Sequence, residues 1–199
     1  MHGLINRAIQ CFLRDTYGHP LWSAVAQAAQ PGLEGFEPML LYEPGLTDRV
    51  IDAAARLLAR PRDTVLEDLG IYLVSHPNVQ GLRRLLRFGG ATFVDFLQSL
   101  EELPGRARLA VPDIDLPTLE LQDHSETEFT LICRSAIHGA GHVVVGLLRA
   151  MADDYGALCL VDHCGSGPEG ERISITLAQA GFSAGRQFEL ARATPGATR

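Results

Sequence analysis

The spacing of apolar residues along the chain first changes near residue 103. Before that point it is helical. Leu4, Ile5, Ala8, Ile9, Phe12 and Leu13 form one stripe of a 3.6-residue period that Gly18 can terminate. A short second helix is predicted around Trp22, Val25, Ala26 and Ala29, closed by Pro31-Gly32. A third has Thr47 as its cap and Val50, Ile51, Ala54, Leu57 and Leu58 inward, with Pro61 beyond. Thr64-x-x-Glu67 has the form of a capping box and opens a helix through Leu66, Leu69, Ile71, Tyr72 and Val74 that Pro77 stops. Val79 to Phe88 follows. After Gly89-Gly90, the residues Phe93, Phe96, Leu97, Leu100 and Leu103 keep helical spacing up to Pro104-Gly105, where the helix is expected to end.

Beyond Pro104 the period shortens to two. EFTLICRS alternates, with Phe129, Leu131, Cys133 and Ser135 on one face, and TLELQ can pair with it across an HSET turn as a hairpin. GHVVVGLLRAMADDYG returns to helical spacing, with Val143, Val144, Leu147, Leu148 and Met151 inward and Gly156 as its stop. ALCLVDHC and RISITLA read as strands around a GSGPEGE turn, RQFELAR adds a short strand, and ARATPGATR is a polar tail. Helices first and strands later, with one long helix among them, predict an α+β fold in which a helical half packs on an antiparallel sheet. No internal repeat is present. The expected organisation is one domain over residues 1–185, with a helical half of about 1–103, a sheet half of about 104–190, and a tail at 191–199.

Composition narrows the function classes. An apolar fraction of 46% with 21% charged residues suits a globular chain, and no apolar run has the length of a membrane span, about 18 residues. The N-terminal stretch lacks the pattern of a signal peptide, so a cytoplasmic location is the expectation, with no membrane partner. A formal net charge of -7 argues against nucleic acid. Cys11, Cys133, Cys159 and Cys164 form no CxxC pair and read as reduced thiols. Cys159, His163 and Cys164 cluster near one strand end, with His138 and His142 as neighbours, but alternation splits Cys159 and His163 from Cys164, which argues against a zinc centre. GSGPEGE lacks the spacing of a phosphate-binding loop, and no catalytic set emerges. An enzyme is not expected.

The opening MHGLINRAIQCFLRDTYGHPLW, with its M-x-G-x-x-N-x-A-(I/L) pattern, Tyr17-Gly18 and Trp22, resembles the first two helices of the H-NOX family of haem–nitric oxide/oxygen-binding (HNOB) domains. The resemblance extends through Gly89, Pro112, Pro117 and the HGAGHVVVGLLRAMADDYG helix, over roughly residues 1–178. It implies a haem between the two halves, an axial histidine near the end of the helix that carries LEELPGRA, and propionates held by a Y-x-S-x-R motif after the EFTLICRS strand. The histidine position falls on Pro104 and the motif reads Cys133-x-Ser135-x-Ile137. Proline offers iron no lone pair, and Ile137 supplies none of an arginine's donors, so both anchors of the haem site are degraded. Ile5 and Pro117 keep positions that in the family press on the porphyrin, and Ser135 keeps its hydroxyl. His76, at a helix end, is the one substitute ligand to weigh, against the plainer reading of a helix-terminal histidine.

The resemblance therefore implies a sensory or regulatory protein that signals to a separate partner such as a histidine kinase, a cyclic-dinucleotide enzyme or a quorum-sensing component, with haem or nitric oxide binding left open. An apolar small molecule is the other ligand class considered. Two further readings stand beside it: a protein-interaction module that has lost its ligand, and a thiol or zinc redox sensor built on the C-terminal cysteines.

Overall fold

Eight α-helices and four strands are found among the described residues of the computed structural model, which are 1–183 together with 185 and 186. In chain order they are α1 (Gly3–Tyr17), α2 (His19–Ala29), α3 (Pro44–Leu58), α4 (Arg62–Ser75), α5 (Gln80–Arg87), α6 (Phe93–Gln98), α7 (Leu103–Ala110), β1 (Thr118–Asp123), β2 (Glu128–Arg134), α8 (Ala140–Tyr155), β3 (Leu158–Gly167) and β4 (Gly170–Gln179). The strands form one antiparallel sheet in the order β1-β2-β4-β3, with Leu131 opposite Leu121 on one side and Ile173 on the other. The fold is α+β, as the change of period predicts.

The α1 stripe buries Ile9, Phe12 and Leu13 against Trp22, Val25 and Ile51, and α4 adds Val65, Leu66 and Leu69 to this helical core. A second core lies between α8 and the sheet, where Leu131, Ile173 and Ile175 meet Val145, Leu148 and Met151 and are closed by Phe93, Phe96 and Leu97 of α6. The cores meet where α4 crosses α8. A methyl group at Gly70 would overlap the Val143 carbonyl oxygen and reach within 2.7 Å of Leu147 N, and one at Gly146 would overlap the Glu67 carbonyl oxygen. The two helix backbones thus touch, which only glycine permits.

Several sequence expectations are corrected. Thr47 lies inside α3, buried, where its hydroxyl donates to Asn6 Oδ1 at 2.7 Å; the helix already begins at Pro44, because proline suits the first turn. The Thr64–Glu67 capping box does not form. The helix starts at Arg62, and Glu67 instead pairs with side chains of α8. Pro104 does not end the helical course: α6 gives way to a 3-10 turn, Leu100–Glu102, and Pro104 then sits in the first turn of α7, where its missing N–H is not needed. Helical residues therefore continue to Ala110. The last hairpin is longer than expected, since β3 takes in Gly165 to Gly167 after a bulge and leaves a turn at Pro168 and Glu169. The expected strand in RQFELAR and the polar tail fall on residues outside those described.

Candidate functional site

A half-open cleft of about 310 Å³ lies between the first residue of the chain, the segment leading into β1 and the end of β2. Met1 forms one wall, Asp115, Leu116 and Thr118 a second, and Arg134, Ser135 and Ala136 the third. Met1 is held firmly: its ammonium donates to Tyr42 O at 2.7 Å, and its carbonyl accepts from Tyr42 N–H at 2.9 Å. Arg134 pairs with Glu120 at 2.8 Å, and that hydrogen bond and charge hold the Glu120 carboxyl below the usual carboxylate range. Ser135 Oγ accepts from Ile137 N–H at 3.1 Å, which turns the chain away from β2.

Of the positions singled out by sequence, Ser135 lines the cleft and Pro117 lies between two lining residues. Ile5 is half-buried against the helical core. Pro104 is buried in α7, and Ile137 packs against both cores. His76 caps α4, accepts from Asn78 N–H at 3.3 Å and stacks on Tyr72 with ring centroids 4.7 Å apart. None of these partners lines the cleft. Sequence reasoning missed Met1 and Arg134; the signal for Arg134 was its place beside Ser135 in the CRS run.

Two sulfur atoms lie inside the sheet half. Burial pushes the Cys133 thiol up to about 12 and the Cys159 thiol up to about 11, so both stay protonated at neutral pH and are poor metal ligands there. Cys164 is exposed, with Sγ 3.7 Å from Asp162 O. His163 does meet His142, but as stacked rings 4.0 Å apart whose nitrogens are taken by carboxylates: His163 Nε2 by Glu171 at 2.9 Å and His142 Nδ1 by Glu67 at 3.1 Å. Arg149 completes this strap between the halves, donating to Glu67 Oε2 and to Val161 O at 2.7 Å each. Among the described residues no group of three or more His, Cys, Asp or Glu side chains is placed to hold a metal.

The Haem-NO-binding family model matches residues 2–161, most of the chain and every element from α1 into β3. The chain belongs to that family. The family is one of sensor domains that bind haem and signal to partner domains such as guanylate cyclase. Among its relatives, soluble guanylate cyclase gcy-31 of Caenorhabditis elegans is 27% identical over 77% of this chain and 22% of its own length. Soluble guanylate cyclase 89Da of Drosophila melanogaster is 21% identical over 78% of this chain and 23% of its own. The chain thus spans about a fifth of the length of the curated relatives it matches. Two solved structures share the fold. An H-NOX protein from S. oneidensis in the Fe(II)NO ligation state superposes with a TM-score of 0.74 at 16% identity, over 90% of this chain and all of the other. The Fe(II) unliganded H-NOX protein from K. algicida gives 0.75 at 14% identity, over 95% of this chain and all of the other. Among the described residues no helix is long and apolar enough to cross a membrane.

Proposed function

We propose that residues 1–185 act as one H-NOX-type sensory or regulatory unit that signals to a separate partner and does not hold haem through an axial histidine. The observation that carries this reading is Pro104. It is buried in the first turn of α7, at the position that resemblance assigns to the iron ligand, and its side chain has no donor atom. The other candidate anchors do not fit the group. Cys133 is a thiol held protonated, the His76 ring is stacked on Tyr72, and Ile137, at the position that resemblance assigns to the clamping arginine, is an apolar side chain packed against both cores.

The fold offers a cleft at Met1, Thr118 and Ser135, in the size range of a small organic ligand. Its walls come from both halves, so a ligand that fits one relative orientation better than another shifts their populations, and occupancy becomes a signal. The guanylate cyclase relatives support a nucleotide-cyclase type of output; a histidine kinase, a cyclic-dinucleotide enzyme or a quorum-sensing component are the other partners the family resemblance implies.

Haemin titration of the purified chain, alongside a Pro104→His variant, tests the reading. The expected result is broad, non-saturating absorption for the unsubstituted chain and a defined Soret band for the variant. A sharp Soret band at one haem per chain without the substitution overturns it.

A further inference from the structure

The loop between α2 and α3 presents Met39, Leu40 and Leu41 to solvent in succession, at 76%, 55% and 72% exposure. Scattered apolar residues on a surface are ordinary, but three adjacent ones make a patch of the kind that marks an interaction site. The loop that carries them is held from several sides. Phe36 N–H donates to Gln10 Oε1 at 2.9 Å, Glu37 N–H donates to the Tyr42 hydroxyl at 2.7 Å, and Gly3 N–H donates to Leu40 O at 2.8 Å. His2 and Leu41 form an isolated antiparallel bridge, and the Phe36 and Tyr42 rings meet edge to face at 4.9 Å. The backbone is thereby fixed while three large side chains stay in water. Such a surface binds without a large ordering cost.

Its surroundings specify the occupant. Residues 30–43 carry Glu34, Glu37 and Glu43, all exposed, and no Lys or Arg; Arg49 pairs with Glu43 at 3.3 Å, and the Met1 ammonium is bonded to Tyr42 O at 2.7 Å. We infer that the Met39–Leu41 ridge is a docking surface for a partner segment that sets an apolar face between lysine or arginine side chains. The inference rests on the reading that this domain signals to a partner, and it names where that partner binds. A second copy of the chain fits less well, since a two-fold contact here would set the carboxylates against their own counterparts. An anionic lipid surface is repelled by the same carboxylates. The ridge is also tied to the cleft, because Met1 lines the cleft and bonds Tyr42 in both directions. A ligand that displaces Met1 displaces the end of the ridge.

The test is fluorescence anisotropy of a labelled amphipathic peptide, leucine on one face and lysine on the other, titrated with the full chain at low and high salt. Leu40→Ser with Leu41→Ser is expected to weaken binding at least about tenfold. Glu37→Gln with Glu43→Gln is expected to flatten the salt dependence. Leu109→Ser, at a residue 88% exposed elsewhere, serves as the control and leaves binding unchanged. Circular dichroism confirms that each variant is folded. The inference is overturned if the serine variant binds as the parent does, or if a glutamate version of the peptide binds equally well. It is likewise overturned if ultracentrifugation shows the ridge consumed by self-association, or if the chain prefers phosphatidylcholine vesicles to the peptide. The haemin titration is a separate readout, so either reading can fail while the other stands.

Discussion

Gly70→Ala is the most direct probe of how the two halves are joined. A methyl group at this position meets the backbone of α8 and not the end of a flexible side chain: besides overlapping the Val143 carbonyl oxygen it lies 2.7 Å from Leu147 N and 3.0 Å from Val143 C. Ordinary contact begins at about 3.5 Å, and the Val143 carbonyl oxygen lies closer than either of these atoms, so the helices must part by about 1 Å or more. A gap of that size forfeits about a quarter to a half of the dispersion energy of every atom pair along the crossing. Overpacking of this kind costs about 1–3 kcal/mol, and the upper part of that range applies because both obstacles are main chain. Alanine recovers up to about 1 kcal/mol through its better helix propensity. The net expectation is a loss of about 2 kcal/mol, seen as a fall in Tm of about 4–8 °C for a domain of this size. Urea unfolding followed by the fluorescence of Trp22, buried in the helical core, measures it directly. Gly81→Ala in α5 meets nothing within 4 Å and supplies the opposite sign, a gain of about 0.5–1 kcal/mol. The close-approach argument is refuted if Gly70→Ala is as stable as the parent. It is also refuted if Gly70→Ala and Gly146→Ala are strictly additive, because helices already parted by one methyl should accept the second at lower cost.

Two further outcomes follow from charged groups. Asp154, 1% exposed at the end of α8, accepts from Arg83 Nε at 2.9 Å, so Asp154→Asn removes the buried counter-charge of Arg83; a loss of about 3 kcal/mol in urea unfolding is expected, and less than about 1 kcal/mol refutes the pairing. At Asp15 burial pushes the carboxyl up, but hydrogen bonds from Asn78, Tyr72 and Arg14 outweigh it and hold the carboxyl below its usual range. A lowered folded pKa contributes stability that is present above the unfolded value of about 3.9 and lost as pH falls through the folded one. The stability gap between the parent and Asp15→Asn should therefore be constant near neutrality and narrow below about pH 4, and a gap that widens on acidification rules out this role.

The elements legible in sequence are those whose pattern is set locally. The α1 and α8 stripes, the β1–β2 hairpin and the Gly156 stop each follow from one period or one backbone preference. The errors arise where tertiary partners decide. Thr47 and Glu67 have the side chains of caps, yet each finds a partner on another helix, Asn6 for the one and His142 with Arg149 for the other. Pro104 reads as a stop or as a first-turn residue with equal local justice, and the packing of Ala107 and Pro104 into the core settles the choice. The cleft was half legible. Ser135 could be placed by motif, whereas Met1 and Arg134 enter it through pairing with Tyr42 and through the β2 terminus, contacts between residues far apart in the chain.

The division of the interior into two cores bears on how this domain can change over generations. Among the described residues Ile137 is the side chain that packs against both, while the sheet-side core also takes in Leu86 of α5 and Phe93, Phe96 and Leu97 of α6. Folding free energy then resides within the two cores and at the glycine contact, with little invested in the cleft. Residues that face a ligand are free to drift in such an architecture, because replacing them leaves either core intact. A lineage can abandon one ligand and explore another without passing through an unfolded ancestor, as long as the glycine crossing is kept.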